Sequence, residues 1–210
     1  MNNSSTMEYD TLAGDDVIAT TTAALKARGV EATIVANKEE ALAAVKAMIP
    51  AGASINNGSS TTLQQIGFVD YIKGETPWNN LHAKALAETD PAAQKKLRGE
   101  ALFADYYVGS VHALAQTGEM VIASGSGSQL PPIITTSPNV IFVVSTQKIM
   151  PTLADAMDRL NTHVYPLEDA RMKSVNMGGS TISKVLTFQY EPAFTGRKIH
   201  VIFVKEKLGF

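Results

Sequence analysis

Apolar and polar positions along this 210-residue chain switch between a helical period and a strand period, and the switches mark its elements. Val17, Ile18, Ala24 and Leu25 share one helical face over residues 17–28, and Gly29 follows as a stop. "EATIVA" (31–36) is a β-type run. "NKEEALAAVKAMI" (37–49) is rich in helix formers, with Asn37 as N-cap and Glu40 three positions on in a capping-box pairing. Pro50 and Gly52 end that helix. "ASINNG" predicts a second strand entering a turn, and "SSTTLQQIG" predicts a third helix. "ADYYVGS" (104–110) reads as a strand, "HALAQTG" as a short helix capped by Gly118, and Met120–Ala123 as another strand. "NVIFVVS" (139–145) is the continuous apolar run of a buried parallel strand. "TLADAMDRL" (152–160) is an amphipathic helix, and "KIHVIFVKE" holds the last strand.

Strands alternating with helices predict an α/β fold with a mostly parallel sheet covered on both faces. Two stretches depart from the alternation. The segment 70–103 is polar and broken by Pro77 and Pro91, which predicts a helical excursion outside the main core. Residues 165–197 carry Pro166, Gly178, Gly179, Pro192 and Gly196 with one β-like run, "SKVLTFQY", and read as an irregular excursion. The polar start, 1–13, reads as a disordered tail with no signal-peptide pattern, ahead of one domain over 14–210.

Composition narrows the chemistry. Charged residues make up 18% of the chain and the formal net charge is −2, with Lys and Arg scattered, which argues against nucleic-acid binding. No apolar run approaches the ~20 residues of a membrane span. The chain has no cysteine, which removes disulfides, thiolate metal sites, iron–sulfur clusters and a Cys nucleophile, and which fits a cytoplasmic protein. His82, His112, His163 and His200 show no metal-ligand spacing, so neither a metal nor a cofactor is expected.

Two loops carry candidate chemistry. Gly58, Ser59, Ser60 and Thr61 stand where a strand meets a helix, the place where unpaired N–H groups and hydroxyls bind phosphate or carboxylate. The bland reading is that Thr61 caps the helix, with Gln64 completing the box. The second loop is Ser124-Gly125-Ser126-Gly127-Ser128, whose glycines would let successive amides converge on an anion. A flexible surface turn explains the same composition. Glu119 stands before that strand as a nucleophile or general base, or as a solvated strand-end charge. Ser110 and His112 lie near the same region. Lys148 follows a strand end, where it faces an anion or only solvent.

"INNGSSTTLQQIG", "ADYYVGSVHALAQTGEMV" with its Gly-rich turn, "NVIFVVSTQKIMPTLADAMDRL" and "VIFVKEKLGF" together resemble the lactate-utilisation (LUD) domain family, in order from about residue 14 to 210. The resemblance implies a three-layer α/β/α Rossmann-like domain related to the sugar-phosphate isomerase and CoA-transferase group. Some family members accompany iron–sulfur and flavin-type oxidising partners during growth on lactate, and no agreed reaction belongs to the bare domain. Ser124, Ser128 and Gln129 stand where the family tends to have Asp, Asn and Arg. Gln147 replaces an Asn while Lys148 is retained, and Val111 with His112 replaces another Asn. The Arg would have been a bidentate anion clamp. The cysteine-rich segment of some relatives near 166–180 is absent.

The resulting expectation is a protein of lactate or organic-acid utilisation that binds a small anionic or phosphorylated molecule between the two loops. One alternative is an isomerase or CoA-transferase type of enzyme using Glu119. The other is a non-catalytic partner of a separate oxidoreductase. A homodimer is compatible with each.

Overall fold

The computed structural model describes residues 9–210; residues 1–8 of the expected tail lie outside the described residues. Six strands form one parallel sheet in the order β1 (Val30–Val35), β10 (Lys198–Val204), β7 (Asn139–Ser145), β4 (Tyr106–Gly109), β2 (Ser54–Asn57) and β3 (Asn79–Asn80). The period-2 rule explains how its central strand is used. On β7, Val140, Phe142 and Val144 face one way and join Ile18 and Leu25 of helix α1 (Asp15–Ala27). Ile141 and Val143 face the other way, against Ala41 and Val45 of helix α2 (Lys38–Met48) and Leu63 of α3 (Thr61–Gln65). Both faces are therefore dry, which is why "NVIFVVS" is apolar throughout. The α/β class and parallel sheet agree with the sequence.

The helix starts follow local chemistry. Asn37 Oδ1 accepts from Glu40 N at 2.9 Å, as the capping pattern predicts. The return bond differs, because Glu40 Oε2 accepts from Ala36 N instead of Asn37 N. At α3 the cap is Ser60, whose Oγ accepts from Leu63 N, so Thr61 is the first helical residue and not its cap. After the short α4 (Phe68–Tyr71), residues 70–103 hold β3, α5 (Leu81–Ala87) and α6 (Pro91–Ala101), the last two helices capped by an Asn or Asp side chain.

A second sheet was not legible in the sequence. It runs β8 (Ile149–Met150), β5 (Ala113–Ala115), β6 (Met120–Ser124), β9 (Lys184–Phe188), with β6 antiparallel to both β5 and β9. "HALAQTG" is thus a strand and a hairpin turn, not a helix. Ala113, Leu114 and Ala115 are fully buried between two sheet neighbours, and that pairing overrides the helix propensity of alanine. Gly118, expected as a helix cap, takes φ 95° in the hairpin turn instead. One face of this sheet joins the α1 side of the core through Leu114, Met120 and Ile122. The other is covered by Ala156 of α7 (Leu153–Arg159), with Leu160 and Val164 following. Within 165–197, helix α8 (Tyr165–Ser174) and β9 are regular.

Candidate functional site

The carboxyl ends of β2, β4 and β7 open into a cleft of about 1020 Å³, the position where parallel α/β sheets present ligands. Its walls come from four places. The α3 start contributes Gly58, Ser59, Ser60, Thr61 and Thr62; the second sheet contributes His112, Ser124, Gly125, Ser126 and Ser128. The helical excursion adds His82 and Arg98 at the rim, and residues 179–183 with α8 close the far side. Ser110 and Lys148 complete the expected set. Gly127 is not in the lining; it takes φ 87° in the turn, beside the Lys184 side chain.

The serine loop is organised by its own side chains. Gly127 N donates to Ser124 Oγ at 2.9 Å and Ser128 N to Ser126 Oγ at 3.3 Å. Gln129 Nε2 donates to Ala123 O, and Lys184 Nζ to Gly125 O. Two amides expected for an anion nest are therefore occupied, and the loop offers the cleft hydroxyls instead. Gly58 has a different reason to be glycine: a Cβ there would collide with the Tyr107 hydroxyl and stand 3.1 Å from Gln129 Oε1. Tyr107 is buried, which raises the pKa of its phenol and keeps it protonated.

The buried cationic group of the cleft is Lys148; Arg98 stands at the rim and Arg171 is paired with Glu168. Lys148 sits in a 3₁₀ turn (Thr146–Lys148) joining β7 of the first sheet to β8 of the second, and is 4% exposed. Nζ donates to Thr62 Oγ1 at 3.1 Å, Val111 O at 3.2 Å and Ser110 Oγ at 3.3 Å. Burial, and then the Arg159 guanidinium, lower its pKa to about 7. Arg159 is fully buried behind the cleft wall, donating to the carbonyls of His112 and Tyr9. Its Nε has no hydrogen-bond partner, and burial lowers its pKa to about 10. Among the described residues neither cation forms an ion pair.

His112 Nδ1 accepts from Ala123 N at 3.1 Å, which fixes the imidazole proton on Nε2. Part of the ring's surface opens to the cleft, yet its setting is deep enough that burial, then Lys148 and Arg159, lower its pKa to about 3. It is a neutral donor. Asn57, 7% exposed, also lines the cleft, and its Oδ1 is buried without a partner.

Glu119 is elsewhere. It precedes β6, whose other end carries Ser124 into the cleft. Its carboxylate accepts from the Arg28 guanidinium and the Thr117 hydroxyl. The structure therefore brings the two loops, Ser110, His112 and Lys148 together and leaves Glu119 out. Sequence reasoning missed Asn57, Tyr107 and Arg159. Arg159 had a signal: it lies three residues after Ala156 on the buried face of an amphipathic helix, where a charge is costly. Among the described residues no cluster of His, Cys, Asp and Glu is arranged to hold a metal ion, and no helix is long and apolar enough to cross a membrane.

Comparison with known proteins agrees with this architecture. A crystal structure of a DUF162 family protein from Deinococcus radiodurans superposes with a TM-score of 0.51 at 15% identity, covering 92% of this chain and 99% of that one. At that identity the likeness concerns the fold. No curated protein sequence matches the chain significantly. The LUD domain family model matches residues 18–204, from the first helix to the last strand, and the chain belongs to the LUD domain family.

Proposed function

We propose that the protein binds a small anionic molecule in the cleft between the α3 start and the serine loop, in the service of lactate or related organic-acid utilisation. One observation carries the anion reading. Lys148 is a buried cation on the cleft surface held only by neutral oxygens, with the positive charge of Arg159 behind it. A buried charge without a partner is costly, and an incoming carboxylate or phosphate supplies the missing counter-charge. The Nε2–H of His112 and the hydroxyls of Ser110, Ser126 and Ser128 provide further hydrogen-bonding groups. Membership of the LUD family supports the metabolic setting. Glu119 has no part in this reading.

The test is calorimetric titration of the full chain with lactate, pyruvate, inorganic phosphate, a sugar phosphate and a CoA ester, alongside Lys148→Met. At least one of these anions is expected to bind and to lose about tenfold or more in affinity in the variant, which is about 1.4 kcal/mol. Binding that is equal in both proteins, or absent across the panel, overturns the reading.

A further inference from the structure

The three partners of Lys148 Nζ are not equivalent. Val111 O can only accept, whereas the hydroxyls of Thr62 and Ser110 can accept or donate. An ammonium donates to all three. A neutral amine donates to the carbonyl and one hydroxyl and accepts from the other. Both protonation states are thus fully hydrogen-bonded, and a proton can leave Nζ through a hydroxyl without stranding a buried polar group. Among the described residues no carboxylate forms an ion pair with the amine, and Arg159 opposes its charge. Desolvation beside a second cation is the general means of making a lysine nucleophilic.

Lys148 lines the cleft, and its amine lies under a glycine. Gly209, at φ 67°, passes over it, anchored by Gln65 Oε1 and Gln147 Nε2. A Cβ there would stand 3.0 Å from Nζ and collide with Thr62 Oγ1. The His112 Nε2–H lines the same cleft, has no protein acceptor among the described residues, and belongs to a ring close enough to feel the Lys148 charge. A donor and an amine in one place suit a carboxylate next to a carbonyl.

We propose that Lys148 is a nucleophile that condenses with the carbonyl of a small 2-oxo carboxylate to give a covalent imine in the cleft. The proposal rests on the anion-binding reading above and adds a reaction to it. The Nζ lone pair forms the N–C bond as the carbonyl π pair moves onto oxygen. One nitrogen proton passes through the Ser110 or Thr62 hydroxyl to that oxygen, giving a carbinolamine. The nitrogen lone pair then forms C=N while the oxygen leaves with a second relayed proton as water. No oxidant or reductant takes part.

The experiment incubates the full chain with pyruvate and sodium cyanoborohydride, followed by intact mass measurement and peptide mapping. One adduct per chain is expected, with the mass of pyruvate less one oxygen atom, on the peptide holding Lys148. It should form at least about tenfold faster than on any other lysine, a difference of about 1.4 kcal/mol in barrier. Lys148→Met should abolish it, Lys198→Met, at the exposed amino end of β10, should keep it, and lactate, which lacks the carbonyl, should slow it. The wild-type peptide map identifies the site even if the variant is poorly folded. Labelling confined to surface lysines overturns the proposal. So does an absent adduct beside calorimetric binding of lactate or phosphate that depends on Lys148, in which case the anion site stands alone. No adduct and no binding removes both.

Discussion

Lys148 Nζ donates to Thr62 Oγ1 across 3.1 Å, and this bond ties the turn that links the two sheets to the first turn of α3. The charge of Lys148 contributes little to folding, because its partners are neutral and its burial is nearly complete. Replacing a buried cation of this kind with an apolar side chain of similar length removes a desolvation cost. Ser110 Oγ and Thr62 Oγ1, 3.5 Å apart, can then pair with each other. Lys148→Met is expected to unfold at the same or higher denaturant concentration, by up to about 1 kcal/mol, while anion affinity falls. Chemical denaturation and titration of one preparation check both.

The pKa of Lys148 is lowered from the usual 10.5 to about 7. Between those values the unfolded chain binds a proton that the folded chain does not. Stability therefore rises with pH across that window, with a slope of up to about 1.4 kcal/mol per pH unit. Below about pH 7 both states hold the proton and the cost of burial is fully present. Anion affinity should run the other way, falling as pH rises through 7. His112 adds a separate limb: with its pKa lowered from 6.5 to about 3, stability is lost as pH falls through that interval. Denaturation curves at a series of pH values should show both limbs, with the alkaline rise missing in Lys148→Met.

Gly58→Val places atoms where the Tyr107 hydroxyl and Gln129 Oε1 now stand. Overpacking of this kind costs about 1–3 kcal/mol, and the side chain also narrows the cleft beside Lys148. A lower melting temperature with loss of anion binding is expected from thermal unfolding with and without ligand. A variant that binds as well as wild type would show that the ligand does not approach this wall.

Glu119→Gln keeps the shape of the side chain but neutralises its pair with Arg28, a pair whose side chains remain 15–27% exposed. Arg28 also donates to Thr117 O and Gln189 O, so the segments it joins stay connected. A loss of about 1 kcal/mol or less is expected, with titrations in the cleft unchanged. A fall in anion affinity without a fall in stability would restore Glu119 to the chemistry.

The centre of the first sheet was readable because β7 and β10 are buried on both faces and announce themselves as the apolar runs "NVIFVVS" and "KIHVIFV". The second sheet was hidden. Ala113–Ala115 is three residues long and β8 two, too short for a period to show, and alanine favours the helix. Site residues followed the same division. Ser59 to Thr61 and Lys148 stand at strand ends, where position alone suggests a ligand. Glu119 also stands near a strand, but at the opposite end of β6 from the cleft, and that geometry exists only once the hairpin is formed. The significance of Arg159 depends on its lying behind His112, a contact across 47 residues of chain.

The chain passes from the first sheet to the second at two places, between β4 and β5 through Ser110 and Val111, and between β7 and β8 through Lys148. The bonds from Nζ to Ser110 Oγ and Val111 O sew these two crossings together. At these two crossings the sheets are therefore tied by one side chain, and that side chain faces the cleft. A molecule that engages Lys148 pulls on both threads at once, so its arrival is felt as a change in stiffness at both crossings. Amides of β5 and β8, remote from any ligand atom, should exchange with solvent more slowly when the cleft is filled.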